Sequence, residues 1–270
     1  MDVLSAIIYG IIQGVTEFLP ISSSGHLALA PAILKIKDPG VAFDLTMHLG
    51  TALAVIVYFR SDLFKMFGEF GSVFKLKKFD PKKSPYLFNI ILSTFVTGVI
   101  GLTIKNIAAT WGRSPIIIAS NLFLFGLIMW LFDLWGSRER DNAKDELMTS
   151  HLEVKKSLLI GLFQALAVFP GVSRSGATLS ISRILGLNRY EAARYSFILS
   201  LPIILAGFLL KLPELSGEIN ITITIIGVLV SFVVGMISIH WFLKIISKWG
   251  LVVFFIYRAI LALVVIIIFN

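Results

Sequence analysis

Residues 87–104 and 115–132 are two runs of 18 residues with no charged side chain. Residues 219–243 make a run of 25 in which His240 is the only ionisable group. A helix needs about 20 apolar residues to cross ~30 Å of hydrocarbon, so each run reads as a membrane span. Residues 249–269 give a fourth run, interrupted once by Arg258. Residues 41–59, which contain Asp44 and His48, and residues 195–210 give two more. In lipid the backbone must satisfy its own polar groups, which leaves helices or closed barrels. A barrel would show alternating segments of ~10 residues, and here the apolar runs are continuous. The expected fold is an all-α integral membrane protein with about six transmembrane helices. Composition agrees: 57% of residues are hydrophobic and 15% charged, against about 45–50% and about 25% in soluble domains. A disordered chain is excluded on the same ground.

Two regions do not read as simple spans. Residues 3–34 are apolar, then broken by Phe18-Leu19-Pro20-Ile21-Ser22-Ser23-Ser24-Gly25, then apolar again only briefly. Residues 157–187 repeat the pattern around Phe169-Pro170-Gly171-Val172-Ser173-Arg174-Ser175-Gly176. Each half is too short to cross the hydrocarbon. Irregular backbone is tolerated at that depth only where protein or a water-filled cavity covers it. Both regions are therefore expected to be re-entrant helix hairpins. The N-terminal run reads as part of the first hairpin and not as a secretory signal, since Asp2 is its only early charge.

The hairpins look like copies. A shift of 151 residues places Gly10 on Gly161, Gln13 on Gln164, Phe18 on Phe169, Ser22 on Ser173, Ser24 on Ser175 and Gly25 on Gly176. Paired broken helices of this kind point to a midplane site built between two repeats. A single membrane domain, 1–270, is expected, with one repeat over about 1–135 and the other over about 155–270. Lysine and arginine are concentrated in 60–83 (seven), 138–156 (five), 189–194 (two) and 244–248 (two). The other set of loops holds only Lys35, Lys37, Lys105, Arg113 and Lys211. The positive-inside rule places the richer set in the cytoplasm. That pattern closes only if each hairpin returns to the side it entered, which makes the repeats inverted and puts both termini outside.

Ionisable groups inside membrane segments are costly and are functional candidates by default. Here they are Glu17, His26, Asp44, His48, Arg174, Arg183, His240 and Arg258. Around Arg174, Gly171 and Gly176 would let an oxyanion approach the backbone. Ser173, Ser175 and Thr178 would add hydroxyl donors. Arg174 would add a permanently charged fork suited to phosphate. In the first hairpin Gln13 and Glu17, at i and i+4, share a helix face, and His26 follows the break. One of Ser22, Ser23 and Ser24 could serve as nucleophile, with Glu17 or His26 handling the proton. Together these groups suit phosphoryl transfer, which needs charge neutralisation, an aligned nucleophile and a protonated leaving group. Asp44 and His48 read as a hydrogen-bonded pair near the outer interface, although they could also line the cavity or bind metal as a pair. Arg258 reads as a structural ion pair or a contact to re-entrant carbonyls. Arg183 reads as lying near the cytoplasmic interface. His240 and His151 read as ordinary interfacial and loop histidines.

The stretch Gln13-Gly14-Val15-Thr16-Glu17-Phe18-Leu19-Pro20-Ile21-Ser22-Ser23-Ser24-Gly25-His26 resembles the first signature of the bacterial undecaprenyl-diphosphate phosphatases of the bacitracin-resistance type. Pro170-Gly171-Val172-Ser173-Arg174-Ser175-Gly176-Ala177-Thr178 resembles their second. The resemblance covers the whole chain in length and hydropathy. It implies a multi-pass enzyme of the bacterial cytoplasmic membrane, with its active site open to the outer face. Its reaction would remove the terminal phosphate of undecaprenyl diphosphate, recycling the lipid carrier for cell-wall synthesis. By position, Glu17, Ser23, His26 and Arg174 take the family's catalytic places. Gln13, Ser22, Ser24, Gly171, Ser173, Ser175, Gly176 and Thr178 fall to substrate binding. The resemblance also implies a divalent cation, Mg²⁺ or Ca²⁺. Gln13 stands where the family has Glu or Gln, so metal binding by acidic groups falls to Glu17.

The competing reading is an inverted-repeat secondary transporter, or a flippase, for an anion or lipid phosphate. A transporter needs the cradle but not Ser23, Glu17 and His26 as reacting groups. The partners expected are the polyprenyl diphosphate substrate and membrane lipids. The net charge of +8 belongs to cytoplasmic loops and not to nucleic-acid binding. A homodimer is compatible with the sequence, which leaves the oligomeric state open. The chain has no cysteine, which removes disulfides and thiolate chemistry and leaves the redox compartment undetermined.

Overall fold

The structure, a computed structural model, describes residues 2–36, 39–68, 84–110, 112, 114–136, 151–211 and 220–269. Segments 69–83 and 137–150, with Lys37 and Arg113, lie outside the described residues. So do the side chains of His151 and Lys211. Most of the loop charges that suggest an orientation are among them.

The described elements, apart from one pair of two-residue strands, are helical. They run α1 (Val3–Thr16), α2 (Ser23–Leu34), α3 (Val41–Tyr58), α4 (Arg60–Gly68), α5 (Tyr86–Thr110), α6 (Pro115–Trp135), α7 (Val154–Ala165), α8 (Arg174–Ile184), α9 (Arg189–Lys211), α10 (Ile221–Trp249) and α11 (Val252–Phe269). Strands β1 (Ser84–Pro85) and β2 (His151–Leu152) pair antiparallel, Ser84 with Leu152 and Pro85 with His151. Asp2 caps α1, its carboxylate accepting from the Ser5 N–H at 2.8 Å. Asn220 caps α10 in the same way through the Ile223 N–H, at 3.2 Å.

Five helices, α5, α6, α9, α10 and α11, are long and apolar enough to cross a membrane. The sixth expected span is α3, whose 18 residues reach about 27 Å at 1.5 Å per residue. Helix α9 begins at Arg189, six residues before the apolar run at Tyr195. The early start is driven by tertiary contacts: Arg189, Ala192 and Ala193 pack inward although the polar sequence there predicts a loop.

The two broken segments are α1–α2 and α7–α8, and the latter pair is joined through a 3₁₀ turn at Leu166–Val168. Helix α1 packs on α10, and α7 packs on α5. The same small residue permits both approaches. A Cβ on Gly10 would lie 2.6 Å from the Gly227 carbonyl oxygen, and a Cβ on Gly161 would lie 2.6 Å from that of Ser93. Close helix approach over glycine is the usual route to association in lipid. Helices α6 and α11, the last of each half, pack on each other.

The core gathers on one side of the turn after α1. Phe18 is fully buried, 5.1 Å edge-on from Phe197, and the aromatic contacts continue through Phe242 to Phe254. Anchoring Phe18 there fixes the orientation of Glu17 beside it. Arg183 is fully buried in protein, with Nε 2.9 Å from Asp133 Oδ1 and Nη1 donating to the Leu187 carbonyl. Asp133 also accepts from Arg189 and from the Leu251 N–H, so one carboxylate ties α6, α8, α9 and the start of α11 at one end of the bundle.

Candidate active site

Each hairpin breaks in the same way. After Pro20 the chain turns, and Ser22 takes φ +74°. After Gly171 it turns again, and Ser173 takes φ +73°. An L-residue there is strained by about 1–2 kcal/mol, which is found where surrounding structure enforces it, often at functional sites. The strain is offset by capping. Ser22 Oγ accepts the Gly25 N–H at 3.3 Å, and Ser173 Oγ accepts the Gly176 N–H at 3.1 Å. Helices α2 and α8 therefore start alike, with Ser23 and Arg174 as their first residues.

Both starts face one cavity of about 260 Å³, whose polar lining includes Glu17, Ser23, Ser24, His48, Ser173 and Arg174. Two helix N-termini with their positive dipole ends converge there, an arrangement that favours an anion.

Glu17 is the centre of the cluster. Its Oε1 accepts from Arg174 Nη2 at 2.5 Å. Its Oε2 accepts from Ser23 Oγ at 2.7 Å and Gln13 Nε2 at 3.0 Å, and lies 3.4 Å from His48 Nε2. The carboxylate is only 6% exposed, so its charge is held by these donors and not by water. Arg174 splits its fork, with Nη1 donating to the Ser196 carbonyl at 3.1 Å. That second bond holds the guanidinium at the cavity wall.

The cluster unites Gln13, Glu17, Ser23 and Arg174, with Ser24 and Ser173 on the lining. It does not include His26. That ring is held outside the cavity, Nδ1 at 2.8 Å from the Ser22 carbonyl and Nε2 at 2.7 Å from Tyr257 Oη. Thr178 is fully buried, 2.5 Å from Ser196 Oγ and bonded to the Arg174 carbonyl, so it braces α8 behind Arg174. Ser22 and Ser175 are buried within the turns, where Ser175 Oγ donates to the Leu19 carbonyl. Gly176 spends its N–H on the Ser173 cap. A Cβ on Gly171 would lie 2.6 Å from the Ile118 carbonyl oxygen, so the glycine lets the turn sit on α6. Its φ of +90° gives a second reason for glycine.

Arg258 satisfies the backbone that these breaks expose. It is fully buried and donates to five carbonyls: Leu122, Asn121, Pro20, Gly171 and Val172. Both hairpin turns and α6 are thereby pinned to α11. Of the two roles read for it, the contact to re-entrant carbonyls is the one observed.

His48 is the site residue that the sequence placed least well. Its Nδ1 lies 2.8 Å from the Asp44 backbone carbonyl, so the pair exists through the backbone and the ring faces Glu17. A signal was present: Asp44, His48 and Thr51 make a polar stripe at i, i+4 and i+7 on a mostly apolar helix. Thr51 lies 3.4 Å from Gln13 Nε2. Thr97 and Gln164 also line the cavity, on a wall otherwise built from Ala167, Val168, Ile203 and Ile204.

Residues 6–264 match the family described as bacitracin resistance protein BacA. Among curated proteins, an undecaprenyl-diphosphatase of Gemmatimonas aurantiaca is 36% identical over 266 residues, which cover 98% of this chain and 97% of that one. An undecaprenyl-diphosphatase 2 of Stutzerimonas stutzeri is 41% identical over 274 residues, covering 100% of this chain and 99% of that one.

Proposed function

The chain belongs to the bacitracin resistance protein BacA family, and from that membership we propose how its cavity works. The protein is a multi-pass membrane undecaprenyl-diphosphatase. It hydrolyses undecaprenyl diphosphate to undecaprenyl phosphate and inorganic phosphate, returning the lipid carrier to cell-wall synthesis and conferring bacitracin resistance.

The observation that carries the mechanism is the double engagement of Glu17 by Ser23 and Arg174. The diphosphate enters between the two helix N-termini. Its charge draws Arg174 from Glu17 Oε1 onto the terminal phosphate, since a dianion competes well for a guanidinium fork. Glu17 keeps its hydrogen bonds from Ser23 and Gln13 and takes the proton as Ser23 Oγ bonds to the terminal phosphorus. The bond from that phosphorus to the bridging oxygen breaks, the freed oxygen takes the proton from Glu17, and undecaprenyl phosphate leaves. Water then cleaves the phosphoserine, its oxygen staying on the released phosphate. One of its protons returns to Ser23 Oγ. Site residues all come from one chain, so the reading needs no homodimer.

A divalent ion fits this site in one form. Among the described residues no three acidic or histidine side chains cluster, and Glu17 is the one carboxylate lining the cavity. Gln13 adds a buried Oε1 with no hydrogen-bond partner. Glu17 and Gln13 would hold Mg²⁺ or Ca²⁺, since Mg²⁺ commonly binds through only one or two protein carboxylates. Such an ion would neutralise part of the diphosphate charge.

The isoprenoid tail belongs in a second cavity of about 650 Å³ between α3, α4, α5 and α9, walled by side chains such as Ile56, Leu63, Phe95, Ile198 and Leu205. Thr94 of α5 lines it one helical turn from Thr97, which lines the polar cavity, so the two are neighbours along α5. We place the end of the bundle that holds Asp133 in the cytoplasm. The exposed Trp135, Tyr190, Trp241 and Trp249 near that end suit a membrane interface. The catalytic cavity then opens to the outer face, the repeats are inverted and both termini are outside.

The test is phosphate release from undecaprenyl diphosphate by purified protein in detergent, beside Ser23→Ala and Glu17→Ala. Loss in both variants is expected. Full turnover by Ser23→Ala would remove the serine step.

A further inference from the structure

Gln164 is the partner of Gln13 under the 151-residue shift, but its surroundings differ. The same shift takes Glu17 to Val168, so the turn beside Gln164 carries no carboxylate. Gln164 is 2% exposed and lines the polar cavity among apolar neighbours.

The orientation of its amide is set by Thr97. Thr97 Oγ1 lies 2.8 Å from the Ser93 carbonyl oxygen and 2.9 Å from that of Gly161. Its single proton is used on those carbonyls, so toward Gln164 it can only accept. Gln164 must therefore present Nε2, which donates at 2.8 Å. Oε1 is left facing the other way, buried and without a hydrogen-bond partner. An unpaired buried acceptor costs stability. Its persistence in a cavity wall suits a ligand that brings a donor. Ionised phosphate brings none. A lone neutral amide with no carboxylate beside it is a poor holder for a divalent ion. A water molecule fits.

We propose that Gln164 is a positioning residue that accepts a hydrogen bond from the water consumed in the reaction. The proposal rests on the phosphatase reading. The water donates one proton to Gln164 Oε1, which orients a lone pair toward phosphorus. Its oxygen bonds to phosphorus as the Ser23 Oγ–phosphorus bond breaks. The proton it loses returns to Ser23 Oγ, and the proton held by Gln164 stays on the phosphate.

The test uses full-length protein in detergent with undecaprenyl diphosphate, comparing wild type, Gln164→Met and Thr97→Val. Gln164→Met keeps the volume and removes the acceptor. Its kcat should fall at least about tenfold without a rise in KM. Its melting temperature should hold or rise, because an unpaired buried group has been removed. Enzyme carrying phosphate on Ser23 should build up, as read by mass spectrometry. Thr97→Val, which frees the amide to turn, should show a smaller fall of the same kind and decides the matter if Gln164→Met does not fold. Unchanged kcat in the folded variants, or a raised KM with kcat kept, would overturn the proposal. A fall in kcat without phosphoserine would keep the water contact and remove the serine step instead. Absence of turnover in the wild type would remove the phosphatase reading and this role with it.

Discussion

Ser23 and Arg174 stand at the same place in the two hairpins, 151 positions apart, and both donate to one carboxylate: Ser23 Oγ to Glu17 Oε2 at 2.7 Å and Arg174 Nη2 to Glu17 Oε1 at 2.5 Å. Two equivalent helix starts have thus diverged into a hydroxyl and a cation. The equivalence supplies the geometry, since both first turns converge on one cavity. The divergence supplies the chemistry.

Arg174→Lys should lose most of its phosphate release. An ammonium is a point charge and cannot hold the Ser196 carbonyl and a planar oxyanion together. By comparison with single-donor losses of about 2.7–4 kcal/mol, turnover should fall about a hundredfold or more. Steady-state phosphate release checks this.

His48 and His26 give a paired comparison. His48 faces Glu17, whereas His26 is bound to Tyr257 outside the cavity. His48→Ala should lower turnover about tenfold, while Tyr257→Phe should leave it within about twofold. The opposite ranking would make His26 the working imidazole.

Arg258→Met should destabilise the protein strongly. It takes a donor from the Pro20, Gly171 and Val172 carbonyls at the two hairpin breaks, each costing about 1–3 kcal/mol when buried and unpaired. A lower melting temperature in detergent, together with loss of turnover, is the expected result.

Chelation should abolish turnover, and Mg²⁺ or Ca²⁺ should restore it. Gln13→Glu adds a second carboxylate one helical turn from Glu17, so it should lower the metal concentration giving half-maximal activity. A metal titration of phosphate release, with the variant beside the wild type, measures the shift.

Gly161→Val should separate α7 from α5, because a Cβ there would lie 2.6 Å from the Ser93 carbonyl oxygen. Overpacking commonly costs about 1–3 kcal/mol. Thermal unfolding of the purified variant would show it.

Much was legible without coordinates because lipid imposes simple rules. Charge-free runs marked α5, α6 and α10, a run broken only by Arg258 marked α11, and the breaks at Pro20 and Gly171 marked the hairpins. The shift of 151 paired Ser22 with Ser173, and the structure gives them φ of +74° and +73°. Glu17 and Arg174 stood out because burying a charge in a membrane segment is costly. The partner of Arg183 was not legible, because nothing in its own segment announces Asp133, fifty residues earlier.

The sequence by itself determined a helical membrane protein with two broken, matching hairpins, since hydrophobic run length and helix-breaking residues are local properties. The tertiary structure decided which polar groups meet. It turned His48 toward Glu17 and His26 away, set Thr178 behind Arg174, seated Gly171 on α6 and left Gln164 Oε1 without a partner. A side chain's hydrogen-bond partner depends on which helices pack together, and the partners that matter here lie on other helices, often more than a hundred residues away. Local spacing carries no record of that choice.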